Sequence, residues 1–257
     1  MKRTSRISRR IASPLCAAVV LAVPALTSAS LANADDGPGP LGVTVAAAAT
    51  SQSVRVGPLF PADRRSTLIG GHHCTASVVH SPNRNLIVTA AHCLDSDQDF
   101  VFVPGYRDGK APYGVWTVHR KFLPDGWRKE QDEDSDVAFG IIGYQQGKGV
   151  EDVVGGNRFA TRTATGATAV TVFGYPSSQE VPVSCTNRPT AHSRTQQRID
   201  CPSLSGGTSG SPWVNGDGQV VGVLGGHEEG GDTDDISYSV VLGAEAAELY
   251  KDAAADP

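Results

Sequence analysis

Charged residues are scarce in this sequence, and segments of helical composition are almost absent. Asp, Glu, Lys and Arg make up 19% of the 257 residues, against 29 glycines and 16 prolines. The short runs between these turn residues are rich in valine and threonine, which favour β-strands. The composition therefore favours an all-β fold over a helical one. Only residues 243–252 have the apolar spacing of a short helix.

Long apolar runs are lacking after the first 34 residues. The basic residues 1–10 precede an apolar stretch and then small residues that end at Ala34, which is the three-part pattern of a secretory signal. A membrane anchor would need about 20 uninterrupted apolar residues, and Pro14 and Pro24 break this shorter run. We therefore expect residues 1–34 to be removed and the mature protein to be secreted, extracellular and free of the membrane.

A surplus of basic charge is also lacking. The formal net charge is −5, and removal of the basic leader would make the mature protein more acidic still. Proteins that bind nucleic acids usually carry a basic patch that contacts the phosphates. A nucleic-acid partner is therefore not expected.

Close cysteine pairs, which structural zinc sites commonly use, are absent. Cys16 leaves with the leader, and Cys74, Cys93, Cys185 and Cys201 remain. An even number of cysteines in an exported protein indicates two disulfides. Of the three possible pairings we predict Cys74–Cys93 and Cys185–Cys201, because each bridge then stays inside one half of the chain. We expect no metal and no cofactor.

Turn residues and short extended runs divide the chain into segments. Residues 35–53 combine glycine, proline and small residues, and they resemble a propeptide or linker more than a folded element. From residue 54 onward, closely spaced strands without helices between them indicate barrels or a sandwich. The polar, glycine-rich residues 145–157 lie near the middle. We therefore place an N-terminal domain at 54–148 and a C-terminal domain with the terminal helix at 149–257.

Residues 206–213, GGTSGSPW, form the most distinctive stretch of the chain. A serine with glycines close on both sides can lie on a tight turn, with its hydroxyl exposed and backbone N–H groups directed at a substrate. This geometry suits an acyl-transfer nucleophile, and Ser209 is the candidate. Taken alone, the octamer fits a plain flexible loop about equally well. Ser211 precedes Pro212 and is interpreted as a packing residue.

Two further segments place a polar residue at the junction of an apolar run and a turn. Residues 86–94, LIVTAAHCL, lead to His92, and a neutral histidine is well suited to take a proton near pH 7. Residues 132–140, DEDSDVAFG, place Asp136 directly before an apolar run, where a buried carboxylate would need a partner such as an imidazole N–H. Taken singly, these segments fit a buried structural histidine and a solvated acidic loop.

Histidine, then aspartate, then serine is the chain order of one known catalytic triad. Together the three segments resemble those of the chymotrypsin-like serine peptidases, in the bacterial glutamyl-endopeptidase-like branch, over about residues 54–249. The resemblance implies two six-stranded antiparallel β-barrels with the active site between them and a short C-terminal helix. It implies that His92 is the general base, that Asp136 orients it and that Ser209 attacks the substrate. The N–H groups of Gly207 and Ser209 would form the oxyanion hole.

The chain departs from the family pattern at the positions that set activation and specificity. Thr208 stands where animal digestive members have an aspartate that pairs with the new N-terminus, so activation by an inserted terminus is not expected. Ser203 is expected at the base of the substrate pocket, and the lack of an acid there argues against selection of Arg or Lys. Leu224 stands where glutamyl-specific members have a histidine. With Gly225 and Gly226, Leu224 is expected to line the pocket.

The sequence therefore predicts a monomeric, secreted serine endopeptidase that acts on protein or peptide substrates. Two alternatives use the same residues differently. A catalytically silent relative would bind proteins through the same cleft, and an esterase would use the same triad on a different bond.

Overall fold

The computed structural model describes residues 40–256, and the leader predicted at residues 1–34 lies outside the described residues. Within the described part, no helix has the length and apolar character needed to cross a membrane. The strands of residues 40–256 are β1 (Thr44–Ala46), β2 (Val56–Pro61), β3 (Cys74–Val79), β4 (Leu86–Thr89), β5 (Phe100–Phe102), β6 (Trp116–Phe122), β7 (Ala138–Ile142), β8 (Arg158–Phe159), β9 (Val170–Gly174), β10 (Val183–Asn187), β11 (Thr190–Ala191), β12 (Gln196–Asp200), β13 (Pro212–Asn215), β14 (Gln219–Val223) and β15 (Ile236–Val240). The helices are α1 (Asp125–Glu130), α2 (Val150–Val154) and α3 (Ala244–Ala255).

The first half of the described chain forms a closed barrel of six strands. Around the barrel the order is β2, β3, β4, β7, β6 and β5, and every neighbouring pair is antiparallel. Strands β3, β4 and β7 are buried at every position, which is why their sequences are almost uniformly apolar or small. Closure leaves this sheet without a free edge. The predicted all-β architecture with a six-stranded barrel is therefore confirmed.

The second half contains a sheet of six strands and a sheet of three. The larger sheet has the order β1, β10, β9, β13, β14 and β8, and the smaller one has β11, β12 and β15. Strands β14 and β15 meet at Gly222, where an added Cβ would lie 2.9 Å from both Gln197 Nε2 and Ser239 Oγ. The N–H of Val223 donates to Ser239 Oγ at 2.9 Å. The absence of a side chain at Gly222 thus lets the two sheets approach closely.

The terminal helix predicted at residues 243–252 is present as α3. The expectation of no helices between strands was wrong, because α1 and α2 interrupt the strand order. Each of them is only five or six residues long, too short to show an apolar period in the sequence.

The segment expected to be a propeptide or linker is partly folded into the second half. Strand β1 pairs antiparallel with β10, with Thr44 opposite Cys185. The N–H of Gly42 donates to the Thr186 carbonyl, and that of Ala47 donates to the Pro182 carbonyl, both at 2.8 Å. The alternation of valine and threonine in residues 43–45 indicates a strand, a signal hidden between the glycines and alanines on either side.

Each of the two disulfides joins a strand to a loop within one half of the described chain. Cys74–Cys93 joins the start of β3 to the turn after β4, and its Cα atoms are 6.0 Å apart. Cys185–Cys201 joins β10 to the residue that follows β12, with its Cα atoms 5.9 Å apart.

Removal of β1 is expected to destabilise the protein. A chain that begins at Ala48 loses the pairing with β10 and the buried Ala47 side chain, which is 3% exposed. We expect it to unfold at a lower temperature than a chain that begins at Pro40, as measured by circular dichroism. Equal unfolding temperatures would show that β1 contributes nothing to the folded state.

Candidate active site

His92 lies in a tight turn directly after β4. The turn is closed by backbone bonds from Cys93 N–H to the Ala90 carbonyl at 3.3 Å and from Leu94 N–H to the Ala91 carbonyl at 3.0 Å. Ala90 and Ala91 are fully buried, whereas 12% of the His92 side chain is exposed. The small alanines let the chain turn inside the core, and they leave the histidine ring at the edge of the core.

Asp136 is fully buried and accepts three hydrogen bonds. His92 contributes two of them, from its backbone N–H to Oδ1 at 3.0 Å and from its ring Nδ1 to Oδ2 at 2.8 Å. The N–H of Gly226 donates to Oδ2 at 2.8 Å. Because an ionised carboxylate only accepts, Nδ1 must carry the proton of the neutral ring, and Nε2 is left as a proton acceptor.

The glycine pair expected to line the pocket also holds Asp136. A Cβ atom on Gly225 would lie 2.6 Å from Asp136 Oδ2 and 3.1 Å from Ala90 Cβ, so a side chain there would displace the carboxylate. The Gly225 N–H donates to the Tyr238 carbonyl at 3.0 Å, and the Gly226 N–H is taken by Asp136. The Gly226 carbonyl accepts from the Glu229 N–H at 2.8 Å. For pairing with an extended peptide this glycine pair therefore offers only the carbonyl group of Gly225.

The carboxylate of Asp136 controls the basicity of His92. Burial lowers the pKa of the His92 ring, but the hydrogen bond and the charge of Asp136, together with the charge of Glu229, outweigh burial. The pKa of His92 is therefore raised above its ordinary value. A raised pKa makes the ring a better proton acceptor at neutral pH.

Trp127, on the unpredicted helix α1, packs beside His92. The centres of the two rings are 6.3 Å apart, and Trp127 Nε1 donates to Asp95 Oδ2 at 3.0 Å. Trp127 is 4% exposed. Its contact with His92 could not be read from the sequence, because a tryptophan in a polar segment carries no signal of its partner.

Ser209 lies on a turn packed against the barrel strands. Its carbonyl accepts from Thr75 N–H at 2.7 Å, and the next N–H, of Gly210, donates to the Leu224 carbonyl at 2.7 Å. Gly210 has a φ of +83°, and an added Cβ would lie 2.1 Å from both the Thr75 carbonyl oxygen and Thr89 Oγ1. Only glycine fits there. Ser209 is thereby held beside the end of β4, from which His92 follows.

The neighbouring Ser211 is fully buried, whereas Ser209 is partly exposed. The backbone N–H of Ser211 donates to Thr208 at 3.0 Å, and its carbonyl accepts from Leu224 N–H at 2.9 Å. Of the two serines, only Ser209 is accessible to a substrate. The interpretation of Ser211 as a packing residue agrees with this burial.

Hydrogen bonds hold the successive backbone carbonyl groups that precede Ser209. The Gly206 carbonyl accepts from Ser177 N–H at 2.8 Å, and the Gly207 carbonyl accepts from Thr75 Oγ1 at 2.9 Å. Gly207 has a φ of +98°, and an added Cβ would lie 2.5 Å from the Ser177 nitrogen. A side chain at this position would therefore push the two segments apart.

Two N–H groups of this turn are left for a ligand. The Thr208 N–H donates to the Ser205 carbonyl at 3.1 Å. Within residues 40–256, the N–H groups of Gly207 and Ser209 on either side of it donate to no protein acceptor. Unpaired backbone donors beside an exposed serine hydroxyl can stabilise a developing oxyanion.

Ser203 and Leu224 lie near this turn in different environments. Ser203 is exposed and has a φ of +65°, in the loop that follows Cys201. Leu224 is 3% exposed and packs in an apolar cluster that includes Trp213 and Cys201. Leu224 therefore supplies no polar group for recognition.

Glu133, His227 and Glu228 place one ligand atom each within 4.8 Å of one another. All three are at least partly exposed, and Glu133 already accepts the Glu228 N–H at 2.8 Å. Exposed carboxylates commonly meet in this way without an ion, so no metal is assigned to them.

Solved structures with the same fold include several proteases. Protease Anisep from Arthrobacter nicotinovorans is 28% identical, with a TM-score of 0.70, over 83% of this chain and 100% of that one. The thermostable serine protease AL20 from an extremophilic microorganism is 25% identical, with a TM-score of 0.69, over 81% of this chain and 100% of that one. A Glu endopeptidase is 20% identical over 85% of this chain and 99% of its own length, with a TM-score of 0.68, a likeness that shows the fold alone.

The sequence itself gives a family match. No curated protein matches the chain. The family model described as "Trypsin-like peptidase domain" matches residues 74–223, which is more than half of the chain and includes His92, Asp136 and Ser209. The chain therefore belongs to the trypsin-like peptidase domain family, as the resemblance of its motifs predicted.

Proposed function

We propose that the protein is a secreted serine endopeptidase that uses Ser209, His92 and Asp136 as a catalytic triad. The observation that carries the proposal is the His92–Asp136 pair, because the hydrogen bond from ring Nδ1 to Asp136 leaves Nε2 as a proton acceptor. Membership of a peptidase family and an accessible serine on the turn beside β4 support it.

The reaction follows from the roles of these groups. Ser209 Oγ attacks the carbonyl carbon of the peptide bond while its proton passes to His92 Nε2. Asp136 stabilises the imidazolium, and the N–H groups of Gly207 and Ser209 bind the oxyanion. His92 then gives the proton to the leaving amine, and the C–N bond breaks to leave an acyl-enzyme. A water molecule, deprotonated by His92, attacks the ester carbonyl carbon. The bond from that carbon to Ser209 Oγ then breaks, His92 returns the proton to Oγ, and the acid is released.

Features around the turn restrict the substrates. We propose an extended protein or peptide substrate that pairs with the carbonyl group of Gly225. Ser203 is exposed, Leu224 is buried in an apolar cluster, and neither carries a charge. We therefore propose that these two positions select neither a basic nor an acidic side chain. The two disulfides fit an oxidising, extracellular location. We propose that the enzyme acts as a monomer.

Replacement of Ser209 by alanine is expected to abolish proteolysis and covalent labelling by a serine-directed phosphonate. Ser211→Ala, in the same turn, is expected to keep both, because Ser211 is fully buried. Casein hydrolysis and intact-protein mass spectrometry provide the measurements. A Ser209→Ala protein that still digests casein would falsify the triad.

Cleavage of a peptide blocked at both ends distinguishes an endopeptidase from the alternatives. The proposed enzyme is expected to cut such a peptide internally, and a peptide library analysed by mass spectrometry then gives its preference. Hydrolysis of esters without any peptide cleavage would indicate an esterase. A folded wild-type protein that cleaves neither would indicate the silent relative.

The pH dependence of activity is expected to report the charge of Glu229. Glu229 raises the pKa of His92, so Glu229→Gln is expected to lower that pKa. Because the reaction needs the neutral ring, the acid limb of kcat/KM should then shift to lower pH. Glu228→Gln, one residue away, is the control and is expected to leave the limb in place. An unchanged limb in Glu229→Gln would contradict this role.

A further inference from the structure

A buried histidine outside the triad contacts the loop that orders the turn of Ser209. His72 is 2% exposed and lies just before β3, among the rings of Phe60, Tyr106 and Tyr175 at 5.5, 6.3 and 6.3 Å between centres. Its Nε2 is 3.1 Å from the Pro176 carbonyl oxygen. A carbonyl only accepts, so Nε2 is the protonated nitrogen. Burial lowers the pKa of His72, which keeps the ring neutral.

The Pro176 carbonyl belongs to a β-turn that faces Gly206. It accepts a second bond from Gln179 N–H at 2.9 Å, which closes the turn over residues 176–179. No peptide bond of the described chain is cis, so the carbonyl of residue 176 and the N–H of Ser177 point in opposite directions. With the carbonyl held by His72 and Gln179, the Ser177 N–H points at the Gly206 carbonyl, 2.8 Å away.

The same geometry repeats one peptide further on. The peptide between Gly206 and Gly207 is also trans, so its N–H points away from Ser177 once its carbonyl is bound there. This is the N–H that donates to no protein acceptor among residues 40–256. His72, the peptide before Ser177 and the peptide before Gly207 therefore form a chain of aligned donors, in which each bond polarises the next.

This chain of hydrogen bonds is needed because the peptide between Gly206 and Gly207 is flanked by two glycines and can rotate easily. Gly206 and Gly207 have no side chains to hold the peptide between them, and an added Cβ on Gly206 would meet no atom within 4 Å. If the peptide between Gly206 and Gly207 rotated by half a turn, its carbonyl oxygen would replace the N–H in the oxyanion hole. The oxyanion would then face a negative dipole end instead of a donor.

We propose that the backbone N–H of Ser177 is a positioning group for the oxyanion hole, supported from behind by His72, and that it acts by holding the Gly206 carbonyl away from the substrate. This inference rests on the proposed function, because His72 and Ser177 would act only through the oxyanion hole of that reaction. It predicts that these two residues affect the stability of the transition state, and therefore kcat, without contacting the substrate.

The test removes one N–H while it preserves the turn. Ser177 is the second residue of the turn, where proline is favoured, and its φ is not positive, so Ser177→Pro is compatible with the turn itself. The substitution deletes the donor and directs the ring Cδ at the Gly206 carbonyl oxygen, 2.8 Å from the Ser177 nitrogen, so the peptide between Gly206 and Gly207 must move away. Ser177→Ala, which lacks the hydroxyl but keeps the N–H, is the reference. Because loss of one oxyanion donor typically costs about 100- to 1000-fold in kcat, we expect misorientation of the donor to lower kcat by about 10- to 100-fold, with little change in KM.

Variants of His72 test the second link. His72→Leu is expected to lower kcat less than Ser177→Pro, because Gln179 still holds the Pro176 carbonyl. His72→Gln, which places an N–H near the position of Nε2, is expected to recover part of the loss. A purely structural role of His72 would be visible as a lower unfolding temperature without this recovery of kcat.

A transition-state analogue separates positioning from general damage. In Ser177→Pro, inhibition by a peptide aldehyde, whose adduct carries an oxyanion, should weaken in parallel with kcat/KM. Inhibition by the matching peptide acid should change little. Equal kcat in Ser177→Pro and Ser177→Ala would overturn the inference while wild type remains active. A folded wild type without peptidase activity would instead overturn the proposed function.

Discussion

The buried carboxylate of Asp136 is the constraint on which the rest of the site depends. A charge removed from water is strongly unfavourable unless donors replace the lost hydration. Here the donors come from the turn after β4 and from Gly226, which follows β14, while Asp136 itself precedes β7. One charge therefore joins the barrel to the second half of the chain. The hydrogen bonds that His92 donates to Asp136 also fix the orientation of the histidine ring. The same contacts therefore solvate the buried carboxylate and position His92.

The turn of Ser209 meets the barrel through a second constraint, which is steric. At Gly210 the chain approaches the Thr75 carbonyl oxygen and Thr89 Oγ1 so closely that no Cβ fits. The Thr75 N–H and hydroxyl bind the carbonyls of Ser209 and Gly207 from the same side. The turns that carry His92 and Ser209 are thus both attached to the ends of β3 and β4. These contacts hold the backbone on which each of the two residues stands.

The sequence indicated the candidate side chains and, through the family resemblance, the N–H groups of Gly207 and Ser209, but it did not indicate the long-range hydrogen bonds that hold them. His92, Asp136 and Ser209 each stand at the junction of an apolar run and a turn, and that local pattern, with its order, indicated the family. The glycine pair was predicted to line a pocket, but its bond to Asp136 spans 90 residues and leaves no local trace. Strand β1 was missed for a related reason, because only its partner β10 makes a short valine and threonine run a strand.

Thr208 shows how this chain holds its turn without the charge that animal digestive members use. The residue is 1% exposed, and both its hydroxyl and its N–H donate to the Ser205 carbonyl, at 2.8 and 3.1 Å. A carboxylate in that place would need a cation brought into the interior. A threonine is satisfied by its own loop. The segment before β1 correspondingly lies on the edge of the sheet, with Leu41 and Val43 exposed at 59% and 45%. Neutral hydrogen bonds from Thr75, Ser177 and Thr208 therefore hold this turn.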